Sequence, residues 1–144
     1  MFRFENLEIW KRSADVALRL FDVADKLEER KLFRFAEQLR GSALSTPNNI
    51  AEGSGSTSDK EFAQFLNIAR RSTFESANMV MIFERRGLLA RPERDSLITE
   101  LDELCRMITS FSRTLGTGGT KRSLVILFGF LLGSLGTWLL ALCS

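Results

Sequence analysis

Asn49 and Glu52 stand three apart in the stretch STPNNIAEG, residues 45–53. On a helix that spacing puts both side chains on one face. A carboxylate beside an amide can hold a cation, or take a proton if a second group receives it. That second group is another carboxylate, a histidine or a metal. The chain of 144 residues has no histidine and two cysteines, Cys105 and Cys143. This excludes a Ser-His-Asp triad, a Cys-His pair and most zinc sites. The expectation is no catalytic residue, no metal, no cofactor and no enzymatic activity. Cys105, with no histidine to activate it, reads as an inert half-buried thiol. GTGGT, 116–120, is not a phosphate loop: it lacks the Gly-Lys-Ser/Thr ending.

The other polar pattern is cationic. Arg70, Arg71, Arg85 and Arg86 fall in one helical segment. Fifteen residues at 100° each bring Arg85 within about 60° of Arg70. Such a stripe can hold phosphates. The alternative is a solvated face that pairs with Glu100, Asp102 and Glu103 of the next segment. Charge elsewhere is balanced. Apart from Lys121 and Arg122, the Lys/Arg count equals that of Asp/Glu, and the net charge is +2. A neutral body argues against non-specific nucleic-acid binding but leaves room for a local basic face. Trp10 and the phenylalanines read as core, so stacking platforms for bases are not evident. Asn67 and Asn78 read as surface or interfacial amides.

Four amphipathic segments must position these groups. Leu7, Trp10, Ala14, Ala17, Phe21 and Ala24 step by three and four, with Asn6 as N-cap. Phe35, Leu39, Ala43, Thr46 and Ile50 form a second stripe; no glycine or proline marks the break near EERK, 28–31. Ser58 and Glu61 fit a capping box. Phe62, Phe65, Ala69, Ser76, Val80 and Phe83 follow, and Gly87 stands at the stop. Pro92 suits the first position of a fourth helix, with Glu93 and Asp95 in its first turn. Leu97, Leu101, Leu104, Ile108, Phe111 and Leu115 repeat as a bundle seam. Nothing reads as a strand and there is no internal repeat. The fold class is all-α, an antiparallel up-down four-helix bundle over 1–115. A Gly-rich, basic linker follows at 116–122, then a C-terminal apolar helix at 123–144.

Within the second segment Pro47 removes the N–H that would bond the Ala43 carbonyl, at a cost of about 3 kcal/mol in an ordinary helix. The expectation is a kink, with Asn49 and Glu52 covering the freed carbonyl or meeting an arginine. Gly53 is expected to end the helix at positive φ.

The tail SLVILFGFLLGSLGTWLLALCS, 123–144, carries no charge. As a helix its 22 residues would span about 33 Å, enough for a bilayer core. Lys121 and Arg122 precede it, so the positive-inside rule places the bundle in the cytoplasm, tail-anchored to the inner membrane. Gly129 and Gly133 form GxxxG, a helix-packing motif in membranes. The alternatives are an apolar helix buried against the bundle or within an oligomer, or a non-native extension. MFRFENLEIWKR at the N-terminus has no apolar signal region. Two widely separated cysteines fit a reducing compartment.

FENLEIW at 4–10, QLRGSALSTPNNIAEG at 38–53 and EFAQFLNIARRSTFES at 61–76 resemble the bacterial four-helix-bundle proteins of 23S ribosomal RNA intervening sequences. The resemblance runs from about residue 3 to about residue 115. It implies a four-helix bundle assembled as a homopentamer, with no enzymatic activity. The chain is also similar to the accessory bundle proteins of diversity-generating retroelements, which bind reverse transcriptase and nucleic acid. Three positions depart from the family pattern. Thr46 replaces Ile or Val, Gly41 replaces a basic residue or a small helix former, and ARRS, 69–72, replaces a small pair. If Arg71 faces a neighbouring subunit, it alters that interface.

The expected function is a non-enzymatic oligomeric bundle that binds RNA or an RNA-handling protein through Arg70, Arg71, Arg85 and Arg86. The alternative is a membrane-tethered structural scaffold with no nucleic-acid role.

Overall fold

The computed structural model describes residues 1–139, with side chains described to residue 116. A short 3-10 turn, Arg3–Asn6, leads into four helices: α1 Glu8–Glu29, α2 Phe33–Ser54, α3 Asp59–Arg85 and α4 Arg91–Leu139. Among the described residues there is no strand. Short connections fold each helix back on the last, and α4 returns beside α1. The result is the expected four-helix bundle. The linker from residue 117 on, and the tail 123–144 with Gly129 and Gly133, lie outside the residues whose side chains are described. Among the described residues no helix is long and apolar enough to cross a membrane.

The α4 stripe is as expected: Leu97, Leu101, Leu104 and Ile108 are buried, with Phe111 and Leu115 packed at their end. On α1 the buried face is rotated from the expected one. Ile9, Ser13, Val16, Ala17, Leu20, Val23, Ala24 and Leu27 are inside. Trp10 and Phe21 pack only at its edge. Asn6 does not cap α1. It ends the 3-10 turn, and Leu7 occupies the cap position without a side-chain bond. Ser58 does cap α3, its Oγ accepting from the Glu61 N–H at 3.2 Å.

The break near EERK has a defined geometry. Lys31 sits at φ 61°. Its N–H donates to the Glu28 carbonyl, and the Leu32 N–H donates to Leu27. This is a Schellman stop with a lysine where glycine is usual. Gly87, at φ 66°, closes α3 in the same way, with Leu88 bonded back to Phe83. A left-handed conformation strains any residue with a Cβ. Lys31→Gly is therefore expected to stabilise the bundle by about 0.5–1 kcal/mol, raising the melting midpoint by about 2–4 °C. A lower midpoint on thermal unfolding would contradict this reading of the turn.

α2 and α3 meet along small side chains and hydroxyls. Ser42 bonds Ser76 at 2.9 Å and Ser45 bonds Ser72 at 2.8 Å. Thr46 faces Thr73 at 3.3 Å and reaches the Ala69 carbonyl at 3.4 Å. Ser42, Thr46, Thr73 and Ser76 are all buried, and each is hydrogen-bonded. Unpaired, such hydroxyls would be costly. Thr46, the departure from Ile or Val, thus has a partner across the interface. Gly41 is exposed, and a Cβ added to it would meet nothing within 4 Å. Its cost is one of helix propensity alone.

α1 and α4 are joined differently. Arg12, Arg19 and Lys26 pair with Glu103, Glu100 and Glu93. The three cations are seven apart, so they fall on one edge of α1.

Candidate nucleic-acid interface

Pro47 is buried inside α2, and the helix runs unbroken through it to Ser54. Asn49 covers a carbonyl, though a different one from that expected. Its Nδ2 donates to the Ser45 carbonyl at 2.7 Å and lies 3.2 Å from Ser45 Oγ. Glu52 points out to solvent and makes no side-chain bond among the described residues. Asn49 and Glu52 are therefore not brought together.

Gly53 corrects the sequence expectation most clearly. It neither ends α2 nor takes a positive φ. It lies in the helix, where an added Cβ would stand 2.6 Å from Phe62 Cδ2 and 2.6 Å from Phe65 Cβ. The glycine is there because α3 passes too close for any side chain. Phe62 itself packs edge-to-face on Phe111 at 5.6 Å, and the Arg3 guanidinium lies over its ring at 5.7 Å.

The four arginines do not form one cluster. Arg70 is half-buried and faces α4; Arg71 is exposed. Arg85 ends α3 and Arg86 caps it, about 22 Å along the axis from Arg70. None of the four makes an ion pair among the described residues. The alternative reading, pairing with Glu100, Asp102 and Glu103, is not seen among the described residues. Glu100 and Glu103 turn to α1, and Asp102 pairs with Arg106 on its own helix. The cause is geometric: the edge of α4 carrying Glu93, Glu100 and Glu103 faces α1.

Arg70 instead joins groups that the sequence reading left out. With Phe74 on α3, and Cys105, Arg106, Thr109, Ser110 and Arg113 on α4, it lines a groove of about 380 Å³. The Arg70 guanidinium lies over the Phe74 ring at 5.6 Å, and its Nη2 donates to Asn67 at 3.4 Å. Beyond Phe74 and Cys105 the groove continues as an apolar hollow of about 340 Å³ between Ala77, Met81, Ile98 and Leu101. Burial pushes the Cys105 thiol above its usual range, and the nearby Arg70 charge opposes that shift. One signal for this groove was present in the sequence. Residues 102, 106, 109, 110 and 113 share one face of a helix.

The phenylalanines are not all core. Phe62 and Phe83 are buried, whereas Phe2, Phe33, Phe35 and Phe74 are exposed. Leu44, Ile68, Met81 and Ile82 are exposed as well, so α2 and α3 present apolar surface in the single chain.

Four helices folded back on one another, with no strand among the described residues, place the chain in the class of all-α four-helix bundles. The chain belongs to the 23S rRNA-intervening sequence protein family, whose model matches residues 5–110. It is also similar to a crystal structure of a protein of unknown function from the S23 ribosomal protein family of Bacteroides thetaiotaomicron VPI-5482. The two share 24% identity over 72% of this chain and 97% of the other, with a TM-score of 0.69. At that identity the likeness establishes the fold. No curated protein matches the chain.

Proposed function

We propose that this protein is a non-enzymatic, oligomeric bundle that binds RNA or an RNA-handling protein partner such as a reverse transcriptase. One observation carries the reading. Every lysine and arginine of α1 is ion-paired, and none of α3 is, among the described residues. Cations left without counter-charges on a folded neutral body are available to phosphates. The exposed apolar residues Phe33, Phe35, Leu44, Ile68 and Ile82 support assembly of several copies, with the pentamer of the resemblance as the expected number.

RNA titrated into the full chain, in mild detergent, is the test. Binding is expected to be micromolar or tighter and to weaken between 50 and 200 mM salt, by roughly tenfold or more. Light scattering is expected to return the mass of five protomers. Arg70→Glu with Arg71→Glu is expected to abolish binding while the helical spectrum is retained. Undiminished binding by that variant removes the arginines from the interface.

The uncharged stretch 123–144, preceded by Lys121 and Arg122, supports a second reading, a membrane-tethered scaffold. The full chain is then expected in the membrane fraction, and a chain lacking 121–144 in the supernatant. A full chain found wholly in the supernatant would end that reading.

A further inference from the structure

We infer that the groove between α3 and α4 takes one nucleotide of single-stranded RNA, its base stacked on Phe74 and its phosphate held by Arg70, Arg106 and Arg113. The inference rests on the RNA reading above and gives it a contact site and a strandedness.

The chemistry is divided along the groove. At one end three guanidinium groups line a single hollow with two hydroxyls, Thr109 and Ser110. Asp102 pairs with one nitrogen of Arg106. Arg106 is 67% exposed, so its other donors remain open to a ligand. Guanidinium forks match phosphate oxygens in shape as well as charge. In the middle stands Phe74, 58% exposed, with Arg70 against its ring. An exposed ring backed by a guanidinium is the platform on which unpaired bases stack. At the other end Ala77, Met81 and Ile98 offer apolar contact to the edge of a base or to a neighbouring one. A volume near 380 Å³ suits a ligand of nucleotide size. Duplex RNA keeps its bases stacked inside the helix and offers Phe74 nothing to hold. Ion-paired cations close the α1 face of the bundle, whereas this groove brings three guanidinium groups to one hollow.

Cys105 lines both halves of the groove and reports on its occupancy. The experiment uses the full chain with Cys143→Ser, which leaves Cys105 as the one thiol. Oligoadenylate of about ten nucleotides is titrated by fluorescence anisotropy, beside a duplex of equal length and free AMP. Iodoacetamide labelling of Cys105 is followed by mass spectrometry. The single strand is expected to bind at least tenfold more tightly than the duplex and to slow labelling. Phe74→Leu, which keeps an apolar side chain without a π-face, is expected to weaken binding about tenfold, and Phe74→Trp to preserve it. Arg113→Glu is expected to lower the slope of log affinity against log salt by about one.

The failures are distinct. If RNA binds but Phe74→Leu changes nothing and Cys105 labels at its free rate, this site is wrong and the RNA reading stands. If AMP protects Cys105 as well as the oligonucleotide does, the ligand is a free nucleotide and the RNA assignment of the groove falls. If no RNA binds at low salt, both fall. Circular dichroism of the Phe74 variants separates lost contact from lost fold.

Discussion

Phe62→Ala is expected to lower the unfolding free energy by about 3–5 kcal/mol, the largest loss from any single side chain of the bundle. The ring is 2% exposed and joins several parts of the chain. Phe111 of α4 meets it edge-on, Gly53 of α2 lies against it, and Arg3 of the N-terminal turn covers it. The same arginine donates to the Ser54 carbonyl at 3.2 Å, so removing the ring also loosens that bond. Folded domains hold only about 5–15 kcal/mol in all. The melting midpoint is expected to fall by about 10–20 °C. Urea unfolding measures the loss directly. A change below about 1 kcal/mol would mean that this end of the bundle is not packed as described.

Gly53→Ala is expected to cost about 2–3 kcal/mol, although alanine is the better helix former. Two contacts at 2.6 Å oppose the new methyl group. One is with the Phe62 ring, which can turn; the other is with Phe65 Cβ, which moves only with α3 itself. Separating α2 from α3 strains the hydroxyl pairs further along. The double variant Gly53→Ala with Phe62→Ala is expected to lose less than the sum of the two, since the cavity left by the ring receives part of the methyl group. Contacting residues commonly couple by 0.5–3 kcal/mol, roughly the range expected here. A neutral or stabilising Gly53→Ala would show that the helices are further apart than the contacts imply.

The sequence revealed the helices, and the reason is periodicity. The stripe from Leu97 to Leu115 has one solution, because an apolar repeat of that length fits only a helix packed on others. Gly87 and Ser58 were legible for a similar reason, each being a residue type whose local chemistry stops or starts a helix. Lys31 was not, because lysine carries no preference for left-handed backbone and its turn is imposed by the helices on either side. Gly53 was misread because glycine has two uses, positive φ and close approach, and only the position of Phe62 and Phe65 separates them. The site was less legible than the fold. Arg70 was singled out, but its neighbours Phe74, Arg106, Thr109 and Arg113 lie on two helices whose facing edges no single-helix pattern defines. Phe74 looked like core because aromatic residues usually are. The pairing of Glu100 and Glu103 depended on which helix α4 turns them toward, and that is a property of the whole bundle.

Arg12, Arg19 and Lys26 recur every seven residues, and so do Glu93 and Glu100. Such a ladder is blind to its own phase: slide α4 by one repeat and Arg19 meets Glu93, while Arg12, already 3.9 Å from Glu100, takes it as its main partner. The leucines beneath, Leu97 and Leu104, share the period and would accept the same mistake. What rejects it is the packing of α4 on α3, where Phe111 meets the Phe62 ring edge-on. A slide of seven residues would carry Phe111 about 10 Å along the axis and leave that ring without its partner. The bundle thus holds its alignment through an aromatic contact that stands outside the repeating ladder.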